Sequence, residues 1–265
     1  MSFRVFFRRV LPASFIGCVA VSACSNSNGS NGAPSGNTLY YQTIPSGGQA
    51  ATYAYHITDN RQNLIVLTQT DDRAAQGSDG SFTDQQVVAG NNLAVNGTSY
   101  SPSTQLFNYD STGQLISFSG VAVGNPESCS NDPAVAAVPF PIYAGQTWSA
   151  NWTQTCGDQI YTMALTTGAA GDVESVTVTA GTYETIPVQY VIVRTNQASG
   201  VVVDSGAYSD WYSTTDGELI QREINHYYPP SLSSVPGYPV TEAWVLASSS
   251  AITILPGTAN GQGPH

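Results

Sequence analysis

His226 is the side chain in this sequence best suited to move a proton near neutral pH, and it sits at an apparent strand end beside Glu223, Tyr227 and Tyr228. A Ser or Thr hydroxyl and an Asp could complete a nucleophile–base–orienter set around it. In a chain so rich in hydroxyls, sequence spacing singles out no partner, and such a histidine reads first as a strand residue. Carboxylate pairs offer glycoside hydrolysis. Glu174 and Glu184 flank one turn, and Glu218 and Glu223 share one hairpin arm. That reaction needs two carboxyls roughly 5–10 Å apart with one desolvated, whereas alternation in a sheet makes these read as solvated surface acids. Asp71, Asp72, Asp79 and Asp84 gather around one polar stretch and could ligate Ca²⁺, but their spacing departs from the EF-hand loop, so an acidic loop is the simpler reading. No G-x-S-x-G, H-E-x-x-H, phosphate-binding glycine loop or C-x-x-C occurs. The chain therefore reads as non-enzymatic and cofactor-free, with a hydrolase using His226 or a Glu pair as the alternative.

The cysteines carry a different chemistry. Cys24 closes the stretch Val21-Ser22-Ala23-Cys24, which follows a leader with Arg4, Arg8 and Arg9 and an apolar run from Val10 to Val21. That run is too short to span a bilayer as a helix and suits a cleaved signal. An aliphatic residue, two small residues and Cys resembles a bacterial lipobox. The resemblance implies a lipoprotein precursor cut before Cys24, which then carries acyl chains. Ser25, in place of Asp, implies sorting to the outer membrane. The alternative is ordinary signal cleavage and free secretion. Cys18 leaves with the leader, so Cys129 and Cys156 remain as a pair in an oxidising compartment and read as a disulfide. With no neighbouring His, a metal site on these two thiols is disfavoured.

Charge narrows the partners. The 265 residues hold 7 basic and 18 acidic side chains, and no lysine. Loss of residues 1–23 removes three arginines, leaving four against eighteen acids, a net charge of about −14. Nucleic acid and anionic headgroups are excluded as partners for want of clustered cations. Membrane attachment must come from the acyl chains. Residues 24–37 (SNSNGSNGAPSGN and its flanks) hold almost nothing that could pack, and read as a flexible tether with a typical reach of about 20 Å.

Beyond the tether, apolar residues recur with period two. Ala51, Tyr53, Tyr55 and Ile57 share one face of a strand, and Leu64–Leu67 reads as a run buried on both sides. Residues 70–81 read as a loop. Strands are expected at 82–89, 104–109 and 114–119, with Asp110–Gly113 as a hairpin turn. Prolines 126 and 133 make 120–138 look irregular, with room for one short helix. Further strands are expected at 147–155, 159–167, 172–179, 183–195, 201–213, 218–227 and 241–246. The expected fold is all-β and mainly antiparallel, one domain over 38–250 with sub-halves 38–120 and 139–250, and a disordered tail at 251–265.

From about 139 to 225 three motifs carry a family resemblance. They are Ala144-Gly145-Gln146-Thr147-Trp148, the strand-turn-strand from Glu174 to Tyr183, and Trp211-Tyr212 followed by Gly217-Glu218-Leu219-Ile220. They resemble a set of bacterial envelope proteins similar to the lipoprotein-carrier half-barrel. The resemblance implies a strongly curved sheet, or half-barrel, around an apolar concavity; Thr179 departs from it, standing where Pro is usual. Trp148 and Trp211 read first as core or inter-strand packing; with Tyr212 and Tyr183 they are also the candidate ligand-binding residues. The functional expectation is an outer-membrane lipoprotein acting as a binding module for an amphipathic lipid, glycan or protein partner, with a structural or surface-display module as a further alternative.

Overall fold

The computed structural model describes residues 37–42, 48–60, 64–89, 103–122, 125–228 and 239–249. The leader, Cys24, almost all of the tether and the tail after Ser249 lie outside them. Where Val, Thr and Tyr alternate with smaller polar residues, strands form. They are β1 (Gln49–Asp59), β2 (Leu64–Arg73), β3 (Phe82–Ala89), β4 (Ser103–Tyr109), β5 (Leu115–Ala122), β6 (Asn125–Val135) and β7 (Thr147–Cys156). There follow β8 (Gln159–Ala170), β9 (Glu174–Val178), β10 (Gly181–Asn196), β11 (Val202–Ser213), β12 (Leu219–Tyr227) and β13 (Pro239–Ser249). Every pairing is antiparallel, and the described residues include no helix.

The sheet closes. Neighbours run in chain order from β1 to β8, continue through β10, β11, β12 and β13, and β13 returns to β1 from Ala51↔Ser249 to Asp59↔Pro239. The result is a closed 12-strand barrel, with β9 paired on the first five residues of β10 outside the ring. The open half-barrel expected from the resemblance is corrected by this pairing. In an open sheet β1 and β13 would each leave a row of unpaired amides and carbonyls, and pairing them removes both edges.

Two local expectations also change. Residues 125–135 are a strand, not irregular backbone. Between Ser117↔Ser130 and Leu115↔Val135 the register jumps, and Pro133 lies in that bulge, where no ladder N–H is required. Leu64 and Val66 face solvent, 60% and 53% exposed, so the Leu64–Leu67 run is buried on one face only.

Twelve strands enclose more space than wall side chains alone can fill; eight are about the limit for that. The chain fills one side of the interior with the segment joining β6 to β7. Val138 and Ile142 pack there among Trp152, Met163, Leu165, Ile186, Val188 and Tyr190, and Phe140 meets Tyr212 edge-on at 5.2 Å. Tyr40 exchanges backbone hydrogen bonds with Ile142 at 2.8 and 2.9 Å. Trp148 donates to the Ala137 carbonyl at 3.0 Å. Its ring fills the space a side chain at Gly168 would need. A second cluster forms where the β9–β10 hairpin folds over Ala51, Tyr53, Ile220 and Leu246. A third, Tyr55, Ile57, Ile65 and Leu67, lies on β1 and β2. The expected disulfide is present, joining directly opposed Cys129 and Cys156 across β6 and β7.

Candidate functional site: a charged cavity inside the barrel

On β2 the inward parity that begins with Ile65 and Leu67 continues through Gln69 and Asp71 to Arg73. On β3 it passes from Phe82 to Asp84 and Gln86. Register sets Arg73 opposite Asp84, and Asp71 opposite Gln86. These strands thus carry charge on the face that elsewhere carries the core. With Gln49, Ala51 and Tyr53 of β1, Tyr109 of β4, Tyr212 of β11, and Glu218, Leu219 and Arg222 at β12, they line a cavity of about 140 Å³. Gln42 closes over it from the N-terminal segment. Gly217 allows that approach: its φ is +74°, and a Cβ there would fall 2.6 Å from the Gln42 Cα.

The cavity's charges are unevenly matched. Arg222 is fully answered. Its Nε and Nη2 donate to the two oxygens of Asp210, both at 2.7 Å. Asp210, 0% exposed, also accepts from the Tyr190 and Tyr212 hydroxyls, each at 2.9 Å. Burial opposes the Arg222 charge, but Asp210 more than offsets it and holds the guanidinium above its ordinary pKa. Arg73 is answered poorly: Nη1 reaches Gln49 at 3.4 Å, and Nε is buried with no hydrogen-bond partner. Asp71 accepts from Gln69 at 2.7 Å and Gln86 at 3.5 Å. Asp84 is 3% exposed and its Oδ1 has no partner. Glu218 accepts from Ser249 through Oε1 at 2.7 Å, but its Oε2 has none. Burial, reinforced by Asp84, pushes Asp71 up to about 7. Burial likewise raises Asp84 and Glu218.

A second polar cluster surrounds His226. Its Nε2 lies 2.8 Å from Glu242 and its Nδ1 3.7 Å from Asp204. The ring stacks on Tyr228 at 5.6 Å, and the Tyr55 hydroxyl donates to Glu242. Burial works against the imidazolium, but the two carboxylates overcome it and push His226 up to about 9. A histidine held protonated between two acids is not a general base at neutral pH.

The residues expected from sequence scatter. Of the four aromatic candidates only Tyr212 lines the cavity. Trp148 holds the plug. Trp211 points out and donates to Glu174 at 2.5 Å. Tyr183 packs in the hairpin cluster. Glu174 and Glu184 are exposed on the β9–β10 edge. Glu218 and Glu223 are separated, one lining the cavity and the other exposed on the wall. The four-Asp cluster divides too: Asp71 and Asp84 turn inward, Asp72 is exposed, and Asp79 caps Ser81 in its loop. Sequence reasoning missed Tyr53, Arg73, Tyr109 and Arg222. The available signal was parity, since Asp71 and Arg73 fall on the same alternation as Ile65 and Leu67, and core-facing charges are rare unless paired.

The fold and cavity together define a closed antiparallel barrel with a plugged side and a charged internal chamber. No family model matches the chain, and no curated protein matches it. Among solved structures, the chain is similar to a Bacteroides fragilis protein described as exported, with a YmcC-like fold. That match has 14% identity and a TM-score of 0.42, and covers 80% of this chain and 99% of the other. A Parabacteroides distasonis protein described as a lipoprotein matches at 12% identity and TM-score 0.40, with 80% and 99% coverage. The hypothetical lipoprotein YmcC from Escherichia coli matches at 10% and 0.36, with 78% and 92% coverage.

Proposed function

We propose that this chain is a non-catalytic lipoprotein of the bacterial outer membrane whose barrel binds a small polar ligand. The observation that carries the binding role is the charged cavity with unanswered buried groups on Asp84, Arg73 and Glu218. Leaving such groups unpaired costs about 1–3 kcal/mol each. The chamber's polarity points away from the apolar or amphipathic ligand that a half-barrel concavity implies. Anchoring rests on Val21-Ser22-Ala23-Cys24, and residues 24–37 would tether the barrel just off the bilayer. Acyl chains gain about 0.8 kcal/mol per buried methylene, enough to hold a domain near −14 at a surface that repels it. A structural or display role is the second reading, favoured by the plug that fills part of the interior.

Cell fractionation combined with native mass spectrometry tests both halves. Wild-type protein should partition with outer membranes, and Cys24→Ala should move to a soluble fraction; membrane retention of an unacylated Cys24→Ala protein would remove the anchoring claim. Gently extracted protein should carry a small-molecule adduct, whereas a single bare mass across repeated preparations would favour the display role.

A further inference from the structure

Taking the cavity as a ligand site, as read above, its chemistry narrows what can occupy it. We propose that the chamber takes a small organic ammonium ion, with its charged nitrogen held among Asp71, Asp84 and Glu218. Size comes first. An apolar chamber of about 150 Å³ accepts a molecule the size of benzene, so about 140 Å³ suits a ligand of roughly that size. Charge comes next. Asp210 cancels Arg222 through its two-point contact. Arg73 then stands alone against three carboxylates, an excess of two negative charges when all are ionised. The vacant atoms agree with that sum: Asp84 Oδ1 and Glu218 Oε2 are acceptors lacking donors. An ammonium group brings up to three N–H donors and the missing positive charge in one compact head.

The rest of the lining refines the class. Among the described residues, no group of three or more His, Cys, Asp or Glu is arranged to hold a metal ion. Asp71, Asp84 and Glu218 line the chamber without forming such a group, which favours an organic cation. Tyr53 and Tyr109 also line the chamber, and Tyr109 stacks on Phe82 at 4.8 Å. The Arg73 Nε–H is an unanswered donor, suited to a hydroxyl on the same ligand. An amino alcohol or amino sugar meets both demands. Titration gives secondary support. Asp71 is flanked by Arg73 on its own strand, by Asp84 and Gln86 on β3, by Arg222 on β12, and by Tyr53 on β1. Burial and Asp84 hold it up to about 7, so a bound cation should displace a proton below that pH.

Isothermal titration of the mature, detergent-extracted protein tests the assignment. The probes are ethanolamine, putrescine and glucosamine, each against its neutral counterpart: ethylene glycol, butanediol and glucose. Acetate and Ca²⁺ serve as further arms. At least one amine should bind while its neutral counterpart and acetate do not. Its affinity should rise by up to about tenfold per unit between about pH 5 and 7, with proton release, and flatten above. Asp84→Asn and Glu218→Gln should each weaken binding about tenfold or more, while Asp132→Asn, exposed on β6, should leave it unchanged. Melting curves identify a variant that has lost its fold, and Glu218→Gln decides if Asp84→Asn does. Neutral counterparts binding as well as amines would overturn the ammonium assignment and leave the cavity as a ligand site. So would Ca²⁺ binding with amines excluded. No heat from any probe up to tens of millimolar would overturn both the assignment and the ligand-site reading.

Discussion

At the scale of single residues, His226 and Asp71 are an opposed pair whose effects on stability run in the same direction. His226 is raised from 6.5 to about 9 by Asp204 and Glu242 after the opposing cost of burial. The folded state therefore holds that proton more tightly than the unfolded chain. Its stabilisation is complete below about 6.5 and is lost as pH rises through 9. Asp71 is raised from 3.8 to about 7 by burial and Asp84. Here ionisation is disfavoured in the fold, so stability is lost as pH climbs from about 4 to 7. Each contribution is on the order of a few kcal/mol. The unliganded protein should melt highest near pH 4–5, and its Tm should fall towards pH 9. His226→Gln should flatten the upper limb and Asp71→Asn the lower one. A Tm that rises with pH across this range in scanning calorimetry would contradict both assignments. These residues were only partly legible in the chain. The acids around residue 80 stood out, but their low-charge surroundings suggested a solvated loop. The strand parity that turns Asp71 and Asp84 inward is also what desolvates them.

At the scale of elements, β6 shows where local signals mislead. Its sequence, NPESCSNDPAV, lacks the β-branched alternation that marks the other strands. It pairs because β5 and β7 flank it and because its disulfide pins it to β7. Pro187 tells a similar story within β10. It lies where that strand exchanges β9, paired through Thr185, for β8, paired from Val188, so the missing N–H breaks no rung. Strand propensity reports neither circumstance. The disulfide closes 27 residues of sequence separation, which removes roughly 3 kcal/mol of chain entropy from the unfolded state. Cys129→Ala/Cys156→Ala should therefore lower Tm by roughly 6–12 °C, read in thermal melts with and without reductant. An unchanged Tm would mean that pairing with β5 and β7 holds β6 unaided.

At the scale of the molecule, alternation made the all-β fold and most strand positions readable, but closure is a relation between ends. β1 and β13 are separated by most of the chain, and nothing in either sequence names the other. The motifs over 139–225 covered β7 to β12 and implied curvature, and curvature continued through twelve strands becomes a ring. Closure then reverses the usual placement of charge. The three described arginines, Arg73, Arg194 and Arg222, all face inward: Arg73 and Arg222 line the chamber, and Arg194 lies 3.8 Å over the Tyr161 ring while donating to the Cys156 sulfur. Exposed acids such as Asp72, Asp132, Glu184 and Glu223 are left on the wall or its edges.

That inward placement makes the barrel a poor substrate for trypsin, which cuts after Lys and Arg. Among the described residues such bonds follow Arg73, Arg194 and Arg222, and all three lie within paired strands with their side chains inside. Native protein should resist cleavage after Arg73, Arg194 and Arg222. Scission at these three should track denaturant-induced opening of the ring and slow when an occupant fills the chamber. Prompt native cleavage after Arg222 would show that the wall opens without unfolding. Digestion followed on a gel thus becomes a gauge of how often this barrel comes apart.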